Sequence, residues 1–109
     1  MAKTTLTWTD DAPAALAPFR KDLQHAQWKL RQAKVRVYHS EGRRQQAADV
    51  VWWAKYYHPL DSGRQVLAYA ERQRDEARAE EAEAREKWRQ AKAEAKAALE
   101  RLRAAKARL

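Results

Sequence analysis

The stretch His58-Pro59-Leu60-Asp61-Ser62-Gly63 separates two long segments that both have the composition of helices. Pro59 cannot continue a helix, and Asp61 or Ser62 can cap the start of the next one. If the chain reverses here, the two segments run antiparallel. Residues at equal distances from the turn should then match each other, and this can be checked on the sequence.

The segment before the turn carries twelve residues spaced by alternating steps of four and three, as in helices that pack side by side. They are Phe19, Leu23, Ala26, Leu30, Ala33, Val37, Ser40, Arg44, Ala47, Val51, Ala54 and His58. The alternative is a helix–turn–helix with its turn at residues 40–42. The spacing runs through Gly42 without a slip, which favours one continuous helix.

The segment after the turn carries the same spacing, at Leu67, Ala70, Arg74, Ala77, Glu81, Ala84, Trp88, Ala91, Ala95, Ala98, Leu102, Ala105 and Leu109. Folding the chain at the turn brings eleven pairs opposite each other, and the two residue numbers of each pair add to 121. Val51 then faces Ala70, and Ala33 faces Trp88. Large side chains mostly face Ala, which suits a tightly packed seam.

Four polar residues interrupt the middle of the seam: Ser40, Arg44, Arg74 and Glu81. We expect both arginines to reach Glu81, in a polar layer that lowers stability but fixes the alignment. The positions flanking the seam add four complementary pairs, Asp22–Arg101, Lys29–Glu94, Glu41–Arg78 and Arg43–Glu80. They also add two unfavourable pairs, Lys34–Arg85 and Arg36–Lys87.

These patterns predict an all-α fold, a long antiparallel helical hairpin or two-helix coiled coil in a single domain. The expected elements are an extended arm at 1–10, a short helical start at 11–17, helix 1 at 18–57, a turn at 58–62 and helix 2 at 63–108. In the arm, Leu6 and Trp8 alternate with polar residues, and we expect them to contact the helices or another molecule.

The composition excludes several classes of protein. The 109 residues include no Cys, so disulfides and thiolate metal sites are ruled out. No apolar run reaches the roughly 18 residues needed to span a bilayer, and no signal peptide is recognisable. We therefore expect the protein in the cytoplasm or within a larger particle.

The seam does not use most of the aromatic residues. A second face of the first helix and the neighbourhood of the turn carry Trp28, Tyr38, Trp52, Trp53, Tyr56, Leu60 and Tyr69. Two helices alone cannot bury this face. It is expected to pack on the N-terminal arm, on a second copy of the chain, or on a different protein.

The net charge of +8 is concentrated in two segments, with +5 over residues 20–36 and +6 over residues 87–109. A hairpin brings the two segments side by side, and their basic residues are Arg20, Lys21, Lys29, Arg31, Lys34, Arg36, Lys87, Arg89, Lys92, Lys96, Arg101, Arg103, Lys106 and Arg108. Such a surface is either simply solvated or a binding site for phosphate or an acidic protein.

Catalytic signals are absent. His25, His39 and His58 are too far apart in sequence to share a metal on one helix, and no phosphate loop or nucleophile–base pattern occurs. We predict no catalytic residues, cofactor or small-molecule substrate.

The sequence thus favours a non-enzymatic protein interaction or assembly module. Phage scaffolding and tail-assembly proteins share this type of composition, so one version of the hypothesis is an accessory component of a viral complex. The alternatives are a non-specific nucleic-acid binder that uses the basic end, and a small inhibitor that docks through Trp28, Trp52 and Trp53.

Overall fold

The protein consists of two long helices in the part of the chain that the structure describes. The computed structural model describes the backbone of residues 12–57 and 61–109, and the side chains of residues 14–56 and 64–109. Helix α1 spans Ala12–Tyr57 and helix α2 spans Asp61–Ala107. Within these ranges there is no strand. The predicted all-α antiparallel hairpin is confirmed.

Helix α1 begins earlier than the sequence predicts. It runs without interruption through Pro18, so the expected division into a short start at 11–17 and a main helix at 18–57 is wrong. The reason is visible in Leu16, whose exposed fraction is only 1%. Leu16 lies three residues before Phe19 and extends the seam by one more step, and its burial offsets the backbone hydrogen bond that Pro18 cannot donate.

Helix α1 also continues through Gly42, which confirms the continuous helix and rejects a turn at residues 40–42. The Ser40 hydroxyl donates a hydrogen bond of 2.7 Å to the carbonyl of Arg36, one helical turn earlier. A Cβ added at Gly42 would meet no atom within 4 Å, so this residue lies on the open outer face.

Helix α2 starts at Asp61, two residues before the predicted start at residue 63. An acidic residue in the first turn is favoured by the positive end of the helix dipole. The helix closes with backbone hydrogen bonds from Arg108 to Ala105 and from Leu109 to Lys106, the tighter spacing that often ends a helix. Leu6, Trp8, His58 and Leu60 lie outside the described residues.

The chain forms two compact units, each built from part of both helices. Unit 1 comprises Met1–Gln32 and Arg89–Leu109, and unit 2 comprises Ala33–Trp88. In unit 2, Val51, Ala54 and Ala70 form a buried cluster against which Leu67 packs. This cluster brings together two of the predicted opposite pairs, Val51 with Ala70 and Ala54 with Leu67.

In unit 1 the buried residues come from both helices and again occupy seam positions. They are Leu16, Ala26, Ala91, Ala98 and Leu102. Across both units, every predicted seam residue whose side chain is described is buried or half-buried, with one exception. Leu109, the last residue, is 71% exposed because α2 ends at Ala107.

Neither described helix contains a stretch long and apolar enough to cross a membrane.

Candidate interaction surfaces

Unit 2 presents a concentrated group of exposed apolar side chains, here called the aromatic surface. Its members are Val50, Trp52, Trp53, Tyr56, Val66 and Tyr69. Their exposed fractions range from 43% for Val66 to 66% for Tyr56. Exposed large apolar side chains scattered singly are ordinary, but a cluster is typical of an interaction site.

The Trp52 ring contacts two neighbouring rings of this surface. The ring centroids of Trp52 and Trp53 lie 5.4 Å apart in an edge-to-face arrangement, and those of Trp52 and Tyr56 lie 4.6 Å apart. Aromatic pairs at these separations are mutually attractive, so the side chains are held by each other although about half of each is open. The surface is thus partly ordered before any partner binds.

The heptad repeat explains why these rings remain open. With the seam at positions a and d, Trp52, Trp53 and Tyr56 occupy the outer positions b, c and f. A single partner helix covers positions a and d and only partly shields e and g. The outer positions would be covered only by a further helix or another molecule.

One side of the aromatic surface carries no charge. The positions g and c of α1 between residues 46 and 56 hold Gln46, Val50 and Trp53. The same positions of α2 between residues 64 and 73 hold Val66, Tyr69 and Gln73. In an antiparallel pair these positions border the same edge of the seam, so apolar side chains of both helices line one uncharged strip.

The remaining predicted aromatic residues lie apart from this surface. Tyr38, at 77%, is the most exposed of the large apolar side chains in the described part of the chain, and its ring contacts His39 edge to face. Trp28 belongs to unit 1, where it is 52% exposed and stacks on His25 at 6.2 Å. Val50 was missed by the sequence analysis, although its heptad position beside the seam residue Val51 could have revealed it.

The polar layer of unit 2 differs in part from the prediction. Arg44 and Glu81 form the expected cross-helix ion pair at 2.9 Å. Arg74 does not reach Glu81, because it lies on the same helix two turns away; it pairs with Asp75 at 3.2 Å and approaches Glu71 at 3.9 Å. Ser40 bonds to its own helix.

The flanking charges confirm the alignment but not every predicted pair. Lys29 lies 3.7 Å from Glu94 in unit 1, and Arg43 lies 2.6 Å from Glu80 in unit 2, as predicted. Glu41 binds Arg85 at 2.6 Å rather than the predicted Arg78. The expected repulsion between Lys34 and Arg85 is relieved because the long Arg85 side chain turns towards acidic groups.

The other predicted repulsion, between Arg36 and Lys87, is relieved in a similar way. Both residues line a groove of about 290 Å³ that also contains acidic side chains. Lys87 pairs with Glu83 at 3.2 Å, one helical turn earlier on α2. Arg43, Arg85 and Lys87 at the predicted flanking positions of unit 2 are therefore each paired with a carboxylate.

The two units differ sharply in net charge. The described residues of unit 1, 12–32 and 89–109, contain eleven basic and three acidic residues, a net charge of +8. Unit 2 contains eleven basic and ten acidic residues, a net charge of +1. Of the predicted basic residues, Lys34, Arg36 and Lys87 fall in the balanced unit 2, and the other eleven fall in unit 1.

In unit 1 a groove of about 380 Å³ is lined by Asp22, His25, Lys29, Glu94 and Arg101, with two alanines. The histidine there stacks on Trp28, and the lysine is paired with Glu94. Among the described residues, no group of three or more potential metal ligands lies together.

Comparison with protein-family models, with curated proteins and with solved structures finds no match for this chain.

Proposed function

We propose that this protein is a non-enzymatic assembly module whose aromatic surface docks on protein, and that a second copy of the chain is the first partner to test. The observation that carries the proposal is the cluster of six half-open apolar side chains on unit 2. Trp and Tyr supply much of the binding energy at protein interfaces because they bury large areas and lose little conformational entropy.

The exposed area is sufficient for an interface. A Trp or Tyr buries roughly 150–250 Å² when covered, so four half-open aromatic side chains offer on the order of 400 Å². Two copies meeting through this surface would bury about 800 Å² from these side chains alone. With the surrounding residues, such a contact reaches the size of a specific interface, about 1,000 Å² or more.

The placement of the surface favours self-association. Three of its aromatic side chains, Trp52, Trp53 and Tyr56, lie on the outer face of α1, and two hairpins meeting through such faces would form a four-helix bundle. Symmetric dimers are the commonest oligomers because one surface serves both subunits. The uncharged strip adds to this argument, since like charges would otherwise oppose each other across a two-fold axis.

The experiment is sedimentation equilibrium of the full chain and of the double variant Trp52→Ala, Trp53→Ala. The wild type should exceed its monomer mass of 12.7 kDa at micromolar concentration. Loss of two interface tryptophans should weaken association roughly a thousandfold, since such residues contribute about 2 kcal/mol or more each and about 1.4 kcal/mol is tenfold. Trp28→Ala is the matched control, because Trp28 is equally exposed but lies in unit 1.

A wild type that stays monomeric up to 0.1 mM would reject self-association. An equal loss in the Trp28→Ala control would reject the aromatic surface as the contact. A third outcome, a monomer that binds one defined protein and loses that binding only in the double variant, would replace the second copy by a different partner.

A further inference from the structure

Unit 1 carries a second surface that the proposed function does not use. In its described part, every charged residue on one side of the seam is basic, and the acidic residues lie elsewhere. One edge of the seam is bordered by heptad positions e and b, and the other by positions g and c. On the e/b side of the described part of unit 1 lie seven basic residues: Arg20, Arg31, Arg89, Lys92, Lys96, Arg103 and Lys106. No acidic residue occupies this side. The seven residues are called the cationic track.

The acidic residues of unit 1 lie elsewhere. Asp22 and Glu94 line the groove on the g/c side together with Lys29 and Arg101, so the positive charges there face carboxylates. Glu100 occupies the outer position f of α2. The ion pair between Lys29 and Glu94 at 3.7 Å shows directly that g positions of the two helices meet along one edge of unit 1. The e positions therefore border the opposite edge.

The track is linear and open. Its five residues on α2, from Arg89 to Lys106, span seventeen residues, or about 25 Å at 1.5 Å per residue. All of them are exposed, as is Arg31 on α1, while Arg20 is half-buried. The intervening positions on the same side hold Ala17, Gln24, Gln27 and Leu99, none of which carries a charge.

We infer that the cationic track binds the phosphate backbone of double-helical nucleic acid. A duplex carries about one negative charge per 1.7 Å of its axis, so a 25 Å row of basic side chains can face several phosphates at once. The gain comes from counterions released from the duplex, and it does not depend on base sequence.

The side chains on the track argue against other anionic partners. A membrane-bound helix needs a band of large apolar residues beside its basic ones, and the track offers only Leu99, which is half-buried. A single-stranded nucleic acid is held by bases that stack on aromatic rings, and no e or b position on this side holds an aromatic residue. A rigid, regularly charged duplex fits the row better than an acidic protein of irregular charge spacing.

This inference does not rest on the aromatic surface, because the residues concerned lie in unit 1 and the tryptophan pair lies in unit 2. The test measures binding of the full chain to a fluorescent 24-base-pair DNA duplex of arbitrary sequence, by anisotropy between 50 and 200 mM salt. The test variant is Lys96→Gln with Arg103→Gln. The control is Arg101→Gln with Arg108→Gln, which removes the same charge from the g side.

Wild-type affinity should fall steeply with salt and should not depend on base sequence. Removal of two phosphate contacts should lower the log–log salt slope by about two and weaken binding roughly 10- to 100-fold at 0.1 M salt. The control should change affinity less than threefold. Because Gln is a good helix former, both variants should keep the circular dichroism of the wild type; Lys96→Ala with Arg103→Ala repeats the test if they do not.

Three results would overturn the inference. One is a wild type that shows no binding at 50 mM salt. Another is an equal loss of affinity in test and control variants, which would mean that total charge rather than the track determines binding. The third is equally tight binding to poly-glutamate or to vesicles with 30% anionic lipid, which would assign the track to a protein or a membrane surface.

Discussion

Arg44 donates a hydrogen bond from Nε to a carboxylate oxygen of Glu81 at 2.9 Å, and so joins α1 to α2 within the seam of unit 2. The side chain of Glu81 is only 15% exposed, while that of Arg44 is 36% exposed. Arg85 approaches the same carboxylate at 3.8 Å and binds Glu41 at 2.6 Å. We predict that this polar layer fixes the alignment of the helices but stabilises them less than apolar residues of similar size would.

Replacing one member of this pair should therefore lower the free energy of unfolding more than replacing both. We expect Glu81→Leu alone to lower the free energy of unfolding by about 1–2 kcal/mol, because Arg44 keeps its charge in the seam without its partner. The double variant Arg44→Leu, Glu81→Leu should regain that loss. Urea unfolding followed by circular dichroism measures both variants against the wild type. A double variant less stable than Glu81→Leu would show that the pair itself stabilises the fold.

Replacing one member of an exposed ion pair should change stability far less than replacing Glu81. Lys29 and Glu94 are each about half exposed, and their charged atoms are 3.7 Å apart. Such pairs contribute roughly 0.2–1 kcal/mol, and salt weakens them. We expect Lys29→Ala to change stability by less than about 0.5 kcal/mol at 0.15 M salt in the same urea assay. A loss above 1 kcal/mol would mean that the lysine stem packs in the groove, and Lys29→Met would then restore it.

Gly42 weakens α1 without any compensating contact. It lies in mid-helix with open space where a Cβ would stand. Because Gly is about 0.8–1 kcal/mol less favourable than Ala in a helix interior, Gly42→Ala should raise the free energy of unfolding by up to about 1 kcal/mol. The converse change at an exposed alanine of α2, Ala82→Gly, should lower it by a similar amount. No gain in Gly42→Ala would argue that the native chain bends at this residue.

The alignment of the helices can be tested by cross-linking. Val51 and Ala70 belong to one buried cluster, so cysteines placed there should form an intramolecular disulfide on mild oxidation. Val51→Cys with Ala68→Cys is the control. Ala68 lies two residues before Ala70 on the same helix, and it is exposed instead of facing the seam. On a denaturing gel without reductant, the first variant should change its mobility rapidly on oxidation, and the second should not. Cross-linking of the control variant but not of the Val51→Cys, Ala70→Cys variant would mean that the helices are aligned differently.

Most of the fold could be predicted from the sequence because the same heptad spacing recurs along both helices of the hairpin. Alternating steps of four and three determine which residues are buried, and opposite pairs follow from the position of the turn. The partners of long charged side chains and the exact ends of the helices do not follow from the heptad spacing. Arg85 can reach either of two glutamates along one edge, and spacing alone does not decide between them.

The candidate surfaces were only partly predictable for a similar reason. Trp52, Trp53 and Tyr56 were identified because outer heptad positions cannot be covered by one partner helix. The separation of basic residues by side is visible only when charges are assigned to heptad positions, because a sum of charge along a segment combines both edges of the seam. Lys96 and Arg101 lie in one basic segment yet border opposite edges of the seam.

Two leucines at seam positions near the chain ends differ sharply in burial. Leu16 is 1% exposed near the start of α1, whereas Leu109, which occupies an equally regular seam position, is 71% exposed. Truncation of a buried leucine costs about 2–5 kcal/mol, and because Leu16 lies near a helix end we expect Leu16→Ala to cost about 2 kcal/mol. Leu109→Ala should change stability by less than 0.5 kcal/mol. Urea unfolding measures both, and hydrogen exchange should locate the loss for Leu16→Ala in the first turns of α1. Equal effects of the two changes would mean that Leu16 is not packed in solution and that α1 is stable only from Pro18 onwards.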